Sequence, residues 1–360
     1  MKKRILTTIM TLGIAGALVI GCGFSACDQP VTEETKCTRP LNEGVDTQTE
    51  ITGYTDHASD IFPEKGDKIA VISPSSTPSR KQTDSVIKGL KDWGYLPVEG
   101  KYTCVEERTL QDCIDDLTWA LENPEIKAIF CVRGGYAANE VMDTLPVDLV
   151  KNAHKPIIGF SDITIYHSAM ITAGLPNIHA SMSGAFSDLP ENCTEAEQNI
   201  IQGKIPNYKC EANEYCKEGT AEGILIGGNL STFLACLGTE YDPTQIDEPY
   251  ILFLEDVEED LQHIHRCLTV LKHMGVLDKA QGIVFGEWTD NPEDANDYNG
   301  NSRGGEFTSV ADMINRQFAA ELDIPIAYGF PAGHGDVNYP LLMGEKVTLS
   351  VENDNFSLQY

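Results

Sequence analysis

Ser161 ends an apolar run, in Ile157-Ile158-Gly159-Phe160-Ser161-Asp162-Ile163-Thr164. A run of that length with β-branched residues reads as a short buried strand. Ile163, Tyr166, Met170 and Ala173 then recur at helical spacing, with Gly174 as the stop. A serine at a sharp strand-to-helix turn is held out of the sheet, beside the free N–H groups of a helix N-terminus. Those groups and the helix dipole favour negative charge, which is what a tetrahedral oxyanion requires. This is the logic of a nucleophile elbow, although the glycine two residues after the serine in G-x-S-x-G is absent here. The competing reading makes Ser161 or Asp162 a plain helix N-cap.

A serine nucleophile needs a base, and that base needs an acceptor on its other ring nitrogen. His334 lies between Gly333 and Gly335 after a predicted strand, where backbone freedom permits close approach of another segment. His179, at the end of a short apolar piece, competes with it. His57 falls in a polar N-terminal stretch, His154 in a loop and His167 in the helix after Ser161. His263, His265 and His273 share one charged helix, where solvated positions account for them. The run Ile251-Leu252-Phe253-Leu254 ends in Glu255-Asp256, and a carboxylate entering the core is costly unless paired. Helix capping explains Asp256 better than Glu255, so Glu255 is the expected orienter. There is no C-x-x-C and no H-E-x-x-H, so zinc is not supported and no metal or organic cofactor is expected.

The elements that must position these residues follow an α/β pattern. Ile69–Ile72 reads as a strand, Ser73-Pro74-Ser75-Ser76 as a turn and Arg80–Trp93 as a helix. Ile126–Val132, the turn Arg133-Gly134-Gly135-Tyr136 and a helix from Ala138 repeat the unit, and the Ser161 segment makes a third. Strands alternating with helices imply a parallel sheet, whose ligands bind beyond the carboxyl ends of the strands. The three turns therefore share one rim. Residues 189–221, with Pro190, Pro206-Asn207, Cys193, Cys210 and Cys216, read as a linker or insertion in which a local disulfide could form. A second α/β region, 222–360, begins with the strand before Gly227-Gly228-Asn229 and carries Glu255 and His334. The loop Thr289–Gly305 is rich in Asp, Asn and Gly and reads as exposed.

A chain of 360 residues has room for about two domains. Its first residues read differently: Lys2, Lys3 and Arg4 precede an apolar stretch ending in Val19-Ile20-Gly21-Cys22. Residues 1–21 thus have the form of a secretory signal, and Cys22 resembles a bacterial lipobox cysteine. Residues 22–64 read as a flexible tether, 65–188 as the nucleophile domain. The formal charge of −29 argues against nucleic acid as a partner and against docking on anionic lipid, so the expected membrane contact is the N-terminal lipid alone. Ten cysteines besides Cys22 are many for a protein in a disulfide-permissive compartment.

Gly159-Phe160-Ser161-Asp162, Arg133-Gly134-Gly135-Tyr136, Gly227-Gly228-Asn229, Leu252-Phe253-Leu254-Glu255-Asp256 and Gly333-His334-Gly335 together resemble the LD-carboxypeptidase family of serine peptidases. The resemblance spans roughly residues 65–358. It implies a triad of Ser161, Glu255 and His334, with the amides of Asp162 and Gly135 as oxyanion hole. It also implies a Rossmann-like N-terminal domain, a smaller C-terminal α/β domain and a homodimer. The expected substrate is a small murein peptide read by Arg133, Asn229 and Trp288. An immunity-type peptidase acting on peptidyl- or aminoacyl-nucleotides is the enzymic alternative, and a solute-binding lipoprotein the non-enzymic one. The chain departs from the family at Ala137, where many members have glycine, in the cysteine-bearing segment and in the loop after Trp288. The signal sequence is the larger departure.

Overall fold

The computed structural model describes residues 49–57, 61–187, 189–289, 307 and 309–360. The signal segment, Cys22, the start of the tether and the loop beyond Thr289 lie outside the described residues.

In chain order the strands are β1 (Thr49–Asp56), β2 (Lys68–Ile72), β3 (Leu96–Glu99), β4 (Ile126–Cys131), β5 (Ile157–Gly159), β6 (Asn177–His179) and β7 (Lys204–Glu211). They continue with β8 (Gly219–Asn229), β9 (Tyr250–Val257), β10 (Gly282–Thr289), β11 (Ile326–Tyr328), β12 (Leu341–Met343), β13 (Lys346–Val351) and β14 (Asn355–Gln359). One sheet has the order β12-β6-β5-β4-β2-β3. Its strands β2 to β6 are parallel; the apolar runs of β2, β4, β5 and β6 are buried on both faces, as helical cover requires, while the edge strand β3 is half-exposed. The other has the order β1-β7-β14-β13-β8-β9-β10-β11, parallel from β8 to β11 and antiparallel elsewhere. Both belong to one compact unit, Val45–Tyr360.

Two stretches read from sequence as tether and linker are ordered strands that enlarge the second sheet. Thr49–Asp56 pairs with β7 along its length. Its alternation buries little apolar surface, since only Ile51 and Tyr54 are large apolar residues, so composition alone resembled a tether. His57 is fixed as well: its N–H donates to Gly203 O at 2.8 Å and its Nε2 lies 3.0 Å from Glu345 Oε1. Within residues 189–221 a helix, Glu191–Ile201, buries Cys193, Ala196, Ile200 and Ile201, and β7 follows. Pro206 is tolerated inside that strand because β14 starts pairing only at Tyr208, past the proline. Cys216 is a free thiol whose Sγ lies 3.7 Å from Asn213 Oδ1 and 3.8 Å from Tyr328 O, so the local disulfide expected here does not use it.

The feature that matters most for the site is β12. It follows His334 in sequence, yet it pairs antiparallel with β6 of the first sheet, Leu341 opposite His179. The segment carrying His334 therefore leaves β11 in one sheet and enters β12 in the other.

Candidate active site

Ser161 leaves β5 with a φ of +63°, a left-handed conformation that costs a non-glycine residue about 1–3 kcal/mol. It opens a 3₁₀ turn, Ser161–Ile163, that runs into the helix Thr164–Ile171. Ile163 occupies the place of the usual second glycine. Room for it comes from Gly159, where a Cβ would lie 3.0 and 3.3 Å from the Ile163 side chain. The elbow is kept with the motif's first glycine alone, Gly159, making room for the larger residue at 163.

Neither Ser161 nor Asp162 caps its own helix. The Asp162 carboxylate instead accepts the N–H groups of Ala137 and Ala138, both at 3.0 Å, and the Ser75 hydroxyl. It thus caps the helix Ala138–Thr144, which has no side-chain cap of its own. Burial pushes its carboxyl up from the ordinary range, against these three hydrogen bonds. The three rim turns converge as the alternating pattern required. Ser76 N–H donates to Gly134 O (3.1 Å), Ser73 Oγ to Arg133 O (3.3 Å) and Tyr136 N–H to Ser76 Oγ (3.1 Å). Gly134 backs directly on the serine: a Cβ there would lie 3.0 Å from Ser161 Cβ. Gly135 follows with a φ of +116°. One contributor gave no sequence signal: Arg108, in a loop before a helix, donates to the carbonyls of Ser73 and Ser75 and clamps the first turn.

His334 Nδ1 lies 2.7 Å from Glu255 Oε2; the carboxylate is fully buried and the imidazole 18 % exposed. The ring packs on Phe160, the residue before Ser161, with centroids 4.6 Å apart. Burial pulls the His334 pKa down, but the charge and hydrogen bond of Glu255 together with the charges of Asp256 and Glu258 outweigh it, and the net shift is upward. His179, the competing base, is wholly buried between Phe160 and Phe253 at 5.6 and 5.1 Å, and desolvation holds it well below the ordinary histidine range. His167 is likewise buried, its pKa lowered to about 3. Of these three rings, only that of His334 reaches both a carboxylate and solvent.

The other expected residues divide. Asp256 is a capping residue, but of the helix Leu230–Cys236, taking Ser231 N–H at 3.0 Å, Ser231 Oγ at 2.6 Å and Asn229 Nδ2 at 2.7 Å. Asn229 accepts Thr232 N–H at 3.1 Å, so its side-chain amide is engaged within the protein on both sides. Its backbone N–H reaches Thr164 Oγ1 at 3.2 Å, fixing the Gly-Gly-Asn turn against the helix that follows Ser161. Arg133 is exposed at the rim with one long bond, Nη1 to Thr77 O at 3.4 Å. Trp288, in β10, stands 6.3 Å from Phe285, and its buried Nε1 has no partner among the described residues.

A strained serine, a glycine turn against it and an imidazole tied to a buried carboxylate, all on an α/β scaffold, form the site of a serine hydrolase that works by acyl transfer. Residues 69–180 match the family model for the LD-carboxypeptidase N-terminal domain, and residues 222–349 that for the LD-carboxypeptidase C-terminal domain. The chain belongs to the LD-carboxypeptidase family of serine peptidases. The murein tetrapeptide carboxypeptidase of Pseudomonas aeruginosa is 27 % identical over 301 residues, 78 % of this chain and 92 % of that one. The microcin C7 self-immunity protein MccF of Escherichia coli is 25 % identical over 332 residues, 81 % and 93 %. Among solved structures, muramoyltetrapeptide carboxypeptidase from Oxalobacter formigenes superposes with a TM-score of 0.70 at 24 % identity, covering 81 % of this chain and 97 % of that one. Membership of a peptidase family removes the solute-receptor alternative.

Proposed function

We propose that this protein hydrolyses an L,D amide bond and releases terminal D-alanine from murein tetrapeptides. The observation that carries the mechanism is the 2.7 Å contact between His334 and the buried Glu255, with the imidazole packed on Phe160 beside Ser161. Ser161 Oγ attacks the scissile carbonyl while His334 takes its proton. Glu255 holds the ring through Nδ1 and stabilises the imidazolium. The N–H groups of Asp162 and Gly135 receive the oxyanion, and the left-handed turn at Ser161 aims the hydroxyl and its following amide together. The amine leaves with the proton from His334. Water, deprotonated by the same ring, then cleaves the acyl-enzyme. The murein substrate rests on the Pseudomonas relative's name, and the exposed Arg133 at the rim is available for the terminal carboxylate.

Incubation with a mixture of disaccharide tetrapeptides, read by mass spectrometry, is expected to convert tetrapeptide to tripeptide plus alanine. An untouched tetrapeptide, with cleavage of an aminoacyl sulfamoyl nucleotide, would replace this reading by the immunity-type one. From the sequence of residues 1–22 we also infer export and lipidation at Cys22. A clickable fatty acid should label wild type and not Cys22→Ser; label retained in the variant rejects the site.

A further inference from the structure

We propose that Asn338 is a positioning residue that sets His334 against the nucleophile by tying the His334 loop to the sheet carrying Ser161. The inference rests on the reading of His334 as the base. Asn338 is 2 % exposed and lies four residues past His334. Its Oδ1 accepts the Gly333 N–H at 3.0 Å, closing the loop on itself next to the histidine. Its Nδ2 donates to Ser181 Oγ at 3.0 Å, 157 residues away. The amide orientation is fixed by chemistry, because a backbone N–H can only donate and so must face the oxygen. Ser181 follows β6, and the N–H of the adjacent Ala180 donates to Gly159 O at 3.1 Å. Gly159 is two residues before Ser161. A short hydrogen-bonded path thus runs from the residue before the base to the turn that holds the nucleophile, and Asn338 is its link between the two sheets.

Other bonds hold the ends of the same loop. Tyr339 N–H reaches Pro331 O at 2.9 Å, Asn192 Nδ2 reaches the Tyr339 hydroxyl at 2.6 Å, and β12 pairs with β6. Loss of Asn338 therefore leaves the strand docked and frees the arc between Gly333 and Asn338. A misplacement of about 1 Å at the reacting groups costs on the order of a hundredfold.

The test uses the full chain, with kcat and KM measured per active site titrated by a serine-directed phosphonate, and melting followed in parallel. Asn338→Ala is expected to lower kcat about 10- to 100-fold with KM changed by less than about threefold, and to slow phosphonate inactivation by a similar factor. Ser181→Ala removes only the link between sheets and should lower kcat in the same direction by less. Added to Asn338→Ala, it should change nothing further, since the bond it breaks is already gone. A lower melting temperature with wild-type kcat per titrated site in Asn338→Ala would reduce the residue to a packing role and overturn the proposal. So would independent, multiplicative losses in the double variant. If Asn338→Ala does not fold, Ser181→Ala decides alone, and an unchanged kcat there overturns it. His334→Ala is assayed beside them: retained turnover in that variant refutes the base assignment itself, whereas a dead His334→Ala with unaffected Asn338→Ala refutes only the present inference.

Discussion

Ser161→Ala is expected to reduce kcat by about 10⁴-fold or more, and Ser161→Ala/His334→Ala to be scarcely worse than either single variant. Residues that act as one unit lose their whole contribution when any member goes. Glu255→Ala should cost less than the nucleophile, because an unoriented imidazole still accepts a proton. The pH profile reports the same unit. The base works only when neutral, and the charge of Glu255 raises the His334 pKa in spite of burial. The acid limb of kcat/KM should therefore lie above the ordinary histidine value, with activity lost as pH falls through it. The sign is opposite for stability. A histidine raised by its partner stabilises the fold fully at pH below its unfolded pKa, and that contribution fades as pH rises through the folded one. The most active form is accordingly not the form with the strongest ion pair. Full turnover in Ser161→Ala would end the mechanism, and an acid limb below the ordinary histidine range would contradict the pairing.

The second large effect is expected at Gly333. Its φ is +136°, and a Cβ there would lie 2.8 Å from Glu255 Oε2 and 3.1 Å from Glu255 Cβ. An alanine must push either the carboxylate or the His334 loop aside, and both are parts of one hydrogen bond. Gly333→Ala should lower kcat by about a hundredfold or more. Gly238→Ala is the control for backbone strain, since Gly238 also has positive φ (+76°) but open space around it. That variant should lose about 1 kcal/mol of stability and keep its kcat. Comparable kinetics in the two would mean that the glycine serves only the backbone.

Much of the site was legible because its parts announce themselves locally. An apolar strand broken by serine, a Gly-Gly turn, a run ending in two acids and a histidine between glycines are each visible within a few residues. The alternation of strand and helix placed three turns on one rim, and their hydrogen bonds bear that out. The resemblance to a peptidase family, rather than spacing, joined Glu255 and His334 to Ser161. What stayed hidden depends on distant partners. β1 is half-exposed and polar, so its register is set by β7 about 150 positions away. Pro206 made β7 look like a turn until the limit of β14's ladder was known. β12 is three residues long, between Pro340 and Gly344, too short for any periodicity. Arg108 and Asn338 gave no signal at all, since neither has a motif and both act through backbone groups or distant side chains.

The placement of β12 has a consequence for how such a protein comes to life. An amino-terminal fragment that stops before Leu341 would contain the serine, its elbow and the glycine turn, yet would leave β6 as an open sheet edge. Unpaired edges recruit other chains. Completing that edge requires Leu341–Met343, and the segment leading into this strand carries His334. The imidazole is thus set against the serine only once that short strand has docked, so each region alone holds part of the site. A growing chain stays chemically silent until Leu341–Met343 have docked on β6.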